Sequence, residues 1–267
     1  MNRIARYERT ARQALLSLAN HDDDPKTLHR LRTHLRRFQA YFEFAGDGRQ
    51  AEILSSCVSD LSRLRTLHVF EKYLKQAGAR QKDIDEIGHR IAATVEKMTR
   101  RRLYETVLTR LNGLQLPPSP SAPQWLQQRL RCARTGHVEA LRALIAEAST
   151  CPRRQVLHAL RLRLKTIRYQ EEWVGGGSRR DRPLLRLLKR AQTVLGDYED
   201  RVQFRKLAGH LSKRTRRRVK RDWRRAKKKA RRLAPQLQAV VDGLMRCAMP
   251  RRDVTSRVTA GVGLSVR

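Results

Sequence analysis

Apolar residues recur at intervals of three and four along most of this chain, which is the spacing of an amphipathic α-helix. Almost no segment alternates apolar and polar residues as a half-buried strand does, so the pattern predicts an all-α protein. Glycine and proline, which interrupt helices, concentrate at a few places. The predicted helices lie near residues 3–20, 26–45, 49–77, 80–112, 125–132, 137–148, 153–174, 182–196, 198–212, 214–233 and 235–247.

Two of the predicted helices carry the same pattern, LHRLRTHLRRF from Leu28 and LHALRLRLKTI from Leu157. In each copy a histidine and two cations stand at positions i, i+3 and i+7 on one helical stripe, and four apolar residues form a second stripe. The cationic stripes are His29, Arg32 and Arg36 in the first copy, and His158, Arg161 and Lys165 in the second. We interpret the chain as an internal duplication with two similar cationic faces.

The proline-rich segment LPPSPSAP at residues 116–123 separates the two repeated helices, because its prolines cannot continue a helix. We expect two pseudo-symmetric helical bundles, one over about 1–116 and one over about 124–250. They are predicted to pack as a single domain over 1–250. Residues 251–267 are predicted to form a loose C-terminal tail.

Local signals predict where some helices begin and end. Asp24 followed by Pro25 supplies a cap and a first-turn proline for the first repeated helix. Gly196, in the sequence LGDYED, predicts a helix stop. The carboxylates after that glycine would then cap the next helix.

The net charge indicates what the cationic faces bind. The chain carries a formal charge of +35 over 267 residues, which opposes compaction unless anions neutralise it. Like charges on one stripe repel each other, and an anion between them makes the arrangement favourable. Arginine offers phosphate a planar fork, lysine a point charge, and histidine gains charge as the pH falls. We therefore expect a phosphate-rich partner.

A further cationic segment runs from Lys213 to Arg232, interrupted by small or apolar residues at helical spacing. The interruptions, Val219, Trp223, Ala226 and Ala230, predict a helix with one thin apolar edge. Two interpretations stay open, a solvated basic helix and an accessory contact for a polyanion. The candidate accessory residues are Arg217, Lys220, Arg221, Arg224 and Lys228.

The sequence gives less support to a metal site, to catalytic carboxylates or to a membrane partner. The cysteines form no CxxC or Cys/His cluster, and His29 and His34 are five residues apart rather than four, so we expect no metal site. For Asp197, Glu199 and Asp200 we favour capping and ion pairing over magnesium binding, because no partner motif accompanies them. The chain has no apolar run of eighteen residues and no standard secretion signal, so we expect no membrane partner.

Four motifs in order along the chain resemble those of the conserved histidine α-helical domain, or CHAD, family. They are HxLRxxLRRF at His29, LSRLRTLHVF at Leu61–Phe70, LHxLRxxLKxIRY at Leu157–Tyr169 and LGDYED at Leu195–Asp200. The resemblance implies an all-α fold of two helical bundles. It further implies a central basic cleft, lined by histidines and cations, that binds inorganic polyphosphate. Because the residues contain no complete catalytic set, we expect no catalysis and no cofactor.

The resemblance assigns site residues position by position. The matched positions are His29, Arg32, Arg36, Arg37, Arg65, His158, Arg161, Lys165, Arg168, Tyr169 and Asp200. The chain departs from the family pattern at Thr66 and His68, which replace aspartates, at Glu199, which replaces an asparagine, and at Gln39, where a further arginine is common. Because the lost aspartates lie in the first half, we expect the second-half site to be the better formed.

The leading hypothesis is therefore a cytoplasmic, non-enzymatic polyphosphate-binding protein, with polyphosphate granules as a candidate location. We expect binding to strengthen below about pH 6.5, where histidine becomes charged. The alternative is sequence-independent binding of DNA or RNA backbones, for which the 213–232 segment is the better candidate surface; aromatic residues are 5% of the chain, too few to favour base stacking. A phosphatase with Asp197 and Asp200 as metal ligands is a third hypothesis. The oligomeric state stays open.

Overall fold

The structure is a computed structural model that describes residues 3–19, 24–115, 123–174 and 182–248. Its secondary structure in these ranges is helical, which confirms the all-α prediction. The helices are α1 (Arg3–Ala19), α2 (Pro25–Ala45), α3 (Gly48–Asp60), α4 (Ser62–Gln76), α5 (Gln81–Arg100), α6 (Leu103–Asn112), α7 (Pro123–Thr150), α8 (Arg154–Val174), α9 (Arg182–Leu207), α10 (Lys213–Arg231) and α11 (Gln238–Ala248). Most of the predicted seam, residues 116–122, and the predicted tail, 251–267, lie outside the described residues.

The start of α2 follows the sequence signal. The side chain of Asp24 accepts hydrogen bonds from the backbone N–H groups of Lys26 and Thr27, at 3.1 and 2.9 Å. Pro25 occupies the first turn, where its missing N–H costs nothing. At the other end Gly46 adopts a φ of +87°, the left-handed conformation that commonly ends a helix. The predicted bounds of this repeated helix are therefore confirmed to within a residue.

Two predicted helices are each divided in the structure. The segment 49–77 breaks at Leu61 into α3 and α4, and the segment 80–112 breaks after Arg100 into α5 and α6. Arg102 has a φ of +48°, an uncommon backbone conformation for a residue with a side chain. Neither break contains glycine or proline, so these boundaries were not detectable from helix-breaking residues.

In two other places the sequence predicts two helices where the structure has a single one. The segments 125–132 and 137–148 join into α7, and 182–196 and 198–212 join into α9 as far as Leu207. Gly196 lies inside α9, so the predicted stop and the capping role of the carboxylates after it are wrong. A Cβ atom at Gly196 would lie 3.9 Å from Nε of Arg161, an ordinary van der Waals distance, so the side chain of Arg161 on α8 passes close to this point of α9.

The core consists of three apolar clusters within the described ranges. One is built mainly from α1, α2, α3 and α6, with Leu64 of α4 and Met98 of α5, and a second from helices α7 to α11. A third joins α4 and α5 to the end of α9 and to α10, with the rings of Phe70 and Phe204 at a centroid distance of 4.8 Å. The two halves of the chain therefore share buried surface through the third cluster.

The apolar stripes of the repeated helices are confirmed. Their side chains are at most 2% exposed; they are Leu28, Leu31, Leu35 and Phe38 on α2, and Leu157, Leu160, Leu164 and Ile167 on α8. Each stripe packs into the core of its own half, and α2 and α8 also contact each other. The pseudo-two-fold relation of the halves stays a prediction. Among the described helices, none combines the length and the apolar character needed to cross a bilayer.

The N-terminus of α10 is held by a buried acid from another helix. Asp83 on α5, 5% exposed, accepts hydrogen bonds from the backbone N–H of Ser212 at 2.9 Å and from the hydroxyls of Ser212 and Thr215 at 2.6 Å. Lysine and arginine fill the first turn of α10, where the helix dipole disfavours positive charge. The carboxylate of Asp83 therefore offsets the unfavourable placement of these cations and also accepts hydrogen bonds from Ser212 and Thr215.

We predict that Asp83→Ala lowers the free energy of unfolding by about 2–3 kcal/mol, because it removes hydrogen bonds to a charged group. This corresponds to a fall in Tm of about 5–10 °C, measured by thermal denaturation. Burial acts to raise the pKa of Asp83, but the hydrogen bonds from Ser212 and Thr215 lower it overall. The stabilisation should therefore be present near neutral pH and be lost as the pH falls through that lowered pKa.

The matched control is Asp85→Ala, which removes an exposed carboxylate from the same helix. A Tm for Asp83→Ala equal to that of the control at pH 7 would contradict the anchoring role.

Candidate anion-binding site

The cationic stripes of α2 and α8 meet where these helices pack together. We define the central cation cluster as Arg32 and Arg36 on α2, Arg65 on α4, and Arg161 and Lys165 on α8. The side chains are close enough to act on each other's charge: Arg36, Arg161 and Arg32 all repel the ammonium of Lys165. The structure thus brings five of the predicted site residues together, from three helices.

Burial and mutual repulsion both disfavour the charged forms of the side chains in this cluster. Burial, followed by repulsion from Arg36 and Arg161, lowers the pKa of Lys165 from 10.5 to about 6. Burial and the charges of Arg36 and Arg65 lower the pKa of Arg32 to about 9. Burial also lowers the pKa values of Arg36 and Arg65. Positive charge is therefore costly here until an anion enters.

The second-half members of the cluster lack protein partners at key atoms. Nε of Arg161 and Nζ of Lys165 are buried, and neither has a hydrogen-bond partner in the part of the chain that the structure describes. Asp200 on α9 lies beside Arg65 and Arg161, but burial raises the pKa of its carboxyl despite these cations. One carboxylate, itself disfavoured by burial, cannot neutralise the four arginines of the cluster.

Arg32 and its repeat counterpart Arg161 differ in their contacts. Arg32, 7% exposed, donates to the backbone oxygen of Val58 and, at 3.0 Å, to Oγ of Ser62. These atoms lie on either side of the break between α3 and α4, where a helix end leaves carbonyls without partners. Arg32 therefore stabilises the break, whereas Nε of Arg161 remains without a hydrogen bond among the described residues.

The two predicted histidines lie at the edge of the cluster. His29 is largely exposed, and partial desolvation with repulsion from Arg65 and Arg32 lowers its pKa below 6.5. On α8, Nδ1 of His158 lies 3.6 Å from Oε2 of Glu199, and the other carboxylate oxygen, Oε1, accepts a hydrogen bond from Arg154 at 2.8 Å. The histidine at α2 would therefore gain charge only at a lower pH than the sequence suggests.

Arg37 and Arg168 are held by a carboxylate and are not among the charges that act on Lys165. Both contact Glu172, at 3.4 Å from Arg37 and 3.2 Å from Arg168. The guanidinium of Arg168 also lies over the ring of Tyr169, 4.9 Å from its centroid. Tyr169 itself is buried and close enough to Arg36 to influence its pKa.

Arg168 contributes to a separate basic pocket at the start of α9, with a volume of about 420 Å³. Its lining residues are Arg168, Glu172, Arg182, Leu185, Arg186 and Lys189. The sequence interpretation missed the three cations from α9. The signal was present, because Arg182, Arg186 and Lys189 stand at i, i+4 and i+7, on one helical face.

The acidic residues of α9 pair with cations. Asp197 contacts Arg201 at 3.0 Å and Glu199 contacts Arg154 at 2.8 Å, which confirms the expected ion pairing. Within the described ranges no group of three or more His, Cys, Asp or Glu residues is arranged to hold a metal ion.

The basic helix α10 has the apolar edge that the sequence predicts. Val219, Ala226 and Ala230 are buried against the core. Trp223 is half-buried and lies under Arg205 of α9, whose guanidinium is 4.0 Å from the centroid of the indole. The five candidate accessory residues, Arg217, Lys220, Arg221, Arg224 and Lys228, are all exposed.

Comparison with known proteins places these features in a family. The family model of the CHAD domain matches residues 4–209, which end before α10. The fold is similar to that of the CHAD domain from the plant Ricinus communis, with a TM-score of 0.57, 18% sequence identity, and coverage of 91% of this chain and 89% of that one. It is also similar to PptA from Streptomyces chartreusis, with a TM-score of 0.50, 16% identity, and coverage of 90% and 95%. The comparison with curated proteins gave no match.

We predict that Lys165→Met stabilises the free protein. Because the folded state lowers the pKa of Lys165, it binds fewer protons than the unfolded state between about pH 6 and 10.5, and stability should rise with pH across that window. Replacing this amine, which the folded protein holds largely uncharged at pH 7, should raise the Tm at pH 7 by roughly 2–4 °C and flatten its increase from pH 7 to 9. Thermal denaturation across this range measures both effects.

Lys82→Met removes an exposed lysine and serves as the control. A lower Tm for Lys165→Met at pH 7, with the pH dependence of the wild type, would contradict the repulsion.

Proposed function

The chain belongs to the CHAD domain family, and from this premise we propose that it binds inorganic polyphosphate at the central cation cluster. The observation that carries the proposal is the pair of buried nitrogens on Arg161 and Lys165, which have no hydrogen-bond partner among the described residues. An arginine fork and an ammonium are donors that phosphate oxygens accept. A bound phosphate would replace repulsion by charge-assisted hydrogen bonds.

The line of cations along α8 supports a polymeric anion over a single phosphate. Arg161, Lys165 and Arg168 follow one another at i, i+4 and i+7, and Arg168 leads into the basic pocket at the start of α9. A chain with one charge on each unit can contact all of these groups together. Each contact releases counterions, so affinity should fall steeply with salt.

We propose binding without catalysis. In α9, Glu199 and Asp197 are held by arginines, and Asp200 lies between Arg65 and Arg161. Carboxylates placed in this way orient cations, which is a supporting role for an anion site. Binding of polyphosphate would also bring the protein to cytoplasmic granules where that polymer accumulates.

The test is a competition experiment. The purified protein is loaded with labelled long-chain polyphosphate at physiological salt, and duplex DNA, RNA and short phosphates are added as competitors. We predict that His158→Ala/Arg161→Ala/Lys165→Ala lowers the affinity for polyphosphate by roughly tenfold to a hundredfold, because it removes several phosphate contacts. Nucleic acid should fail to displace polyphosphate from the wild type at equal charge.

The control variant, Arg49→Ala/Lys82→Ala/Arg101→Ala, removes three exposed positive charges from other helices and the turn after α5. It should bind nearly as well as the wild type. Circular dichroism confirms that both variants fold. Equal affinity of the two variants would show general attraction to the net charge and would overturn the assigned site.

A further inference from the structure

The helix α10 carries far more positive charge than its place in the fold requires. Thirteen of its nineteen residues are lysine or arginine, and its single acid is Asp222. Asp222 accepts a hydrogen bond from the hydroxyl of Tyr73 on α4, at 2.6 Å, so it is held against the protein. Eleven of the cations are exposed. The family match ends before α10 and does not account for this surface.

Hydrogen bonds to neighbouring helices fix α10 in place. Asp83 holds the N-terminus of α10, Tyr73 holds its middle, and Arg218 donates to the backbone oxygen of Ala77 at the end of α4. The like-charged pairs at i and i+4 repel each other and so destabilise the helix. The contacts with α4, α5 and α9 therefore keep in place a row of cations that repel one another.

The exposed face of α10 is unsuited to a membrane. A helix that lies on a bilayer needs an apolar face to insert, and the apolar edge of α10 is already buried in the core. The large exposed apolar side chains among the described residues are Leu16, Leu162 and Met245, and none belongs to α10.

The face is also unsuited to single-stranded nucleic acid, which binds by stacking its bases on aromatic side chains. The one aromatic residue of α10 is Trp223, and Arg205 and Lys227 cover its ring at 4.0 and 5.2 Å from the centroid. No ring on this helix is open for a base.

The angular spread of the exposed cations around α10 fits duplex DNA. At about 100° per residue, the exposed cations cover an arc of roughly 220° around α10 and extend over about 28 Å. A single phosphate chain would follow one row of these side chains. A helix of about 10–12 Å diameter fits the major groove of B-form DNA, about 12 Å wide, where cations on both flanks reach the two backbones.

We propose that the outward face of α10 binds duplex DNA through its phosphate backbones, without reading sequence and independently of the central cation cluster. The ridge at the middle of this face consists of Arg217, Arg221, Arg224 and Lys228. Phosphate contacts position a protein on DNA but do not distinguish base pairs.

The experiment compares three variants by fluorescence anisotropy with labelled duplex DNA and, separately, labelled polyphosphate. The α10 variant is Arg217→Gln/Arg221→Gln/Arg224→Gln/Lys228→Gln. The control, Arg49→Gln/Lys82→Gln/Arg101→Gln/Arg131→Gln, removes the same numbers of exposed arginines and lysines elsewhere. The third variant, Arg161→Gln/Lys165→Gln, alters the central cation cluster.

We predict that the α10 variant loses roughly tenfold to a hundredfold in DNA affinity and that the slope of log K against log salt becomes shallower by about 3–4. It should keep most of its polyphosphate affinity, and two duplexes of different sequence should behave alike. The control should keep both affinities. Loss of polyphosphate binding by Arg161→Gln/Lys165→Gln tests the proposed function separately and leaves the DNA result unaffected.

Three results would overturn the proposal. One is equal DNA affinity of the α10 variant and the control. Another is loss of polyphosphate but not DNA binding in the α10 variant, which would make α10 part of the polyphosphate site. The last is α10-dependent binding to vesicles containing phosphatidylserine without α10-dependent binding to DNA.

Discussion

Repulsion among the half-buried cations between α2 and α8 is the constraint on which the rest of the structure depends. Each of these helices buries four large apolar side chains in the core of its own half, and each such side chain stabilises the fold by about 1.5–3 kcal/mol. That burial fixes the phase of both helices, and where α2 and α8 contact each other their cationic stripes come together although Arg36, Arg161 and Lys165 repel. The core thus holds a cluster of cations that a bound anion would stabilise.

The protein offsets this cost unequally in its two halves. Arg32 is bound by the backbone at the break between α3 and α4, whereas its counterpart Arg161 lies against Gly196 with its Nε unbonded among the described residues. The expectation, drawn from the sequence, that the second half holds the better anion site stays a prediction. Repulsion between cations is also offset at α10, because Asp83 anchors the N-terminus of this helix, whose cations repel one another.

Local patterns in the sequence predicted much of this arrangement. The repeated stripes correctly predicted which residues of α2 and α8 are buried, because the phase of a helix is a local property. They also identified Arg32, Arg36, Arg161 and Lys165, which the structure brings into one cluster. The break at Leu61 has no local signal, since a buried leucine is typical of a helix interior. The contact of Arg37 with Glu172 joins residues 135 positions apart and depends on how α2 packs on α8. Gly196 was misread because a glycine inside a long helix looks the same in sequence as one that ends a helix.

Proton uptake on binding tests the central claim most directly. If Lys165 is largely neutral in the free protein and becomes charged beside a phosphate, binding of polyphosphate at pH 7.5 should take up about one proton per protein molecule. Isothermal titration calorimetry in two buffers of different ionisation enthalpy measures this number. We predict uptake in the wild type and a clear reduction in Lys165→Met. Equal binding enthalpies in the two buffers for the wild type would contradict a buried, unneutralised cluster as the binding site.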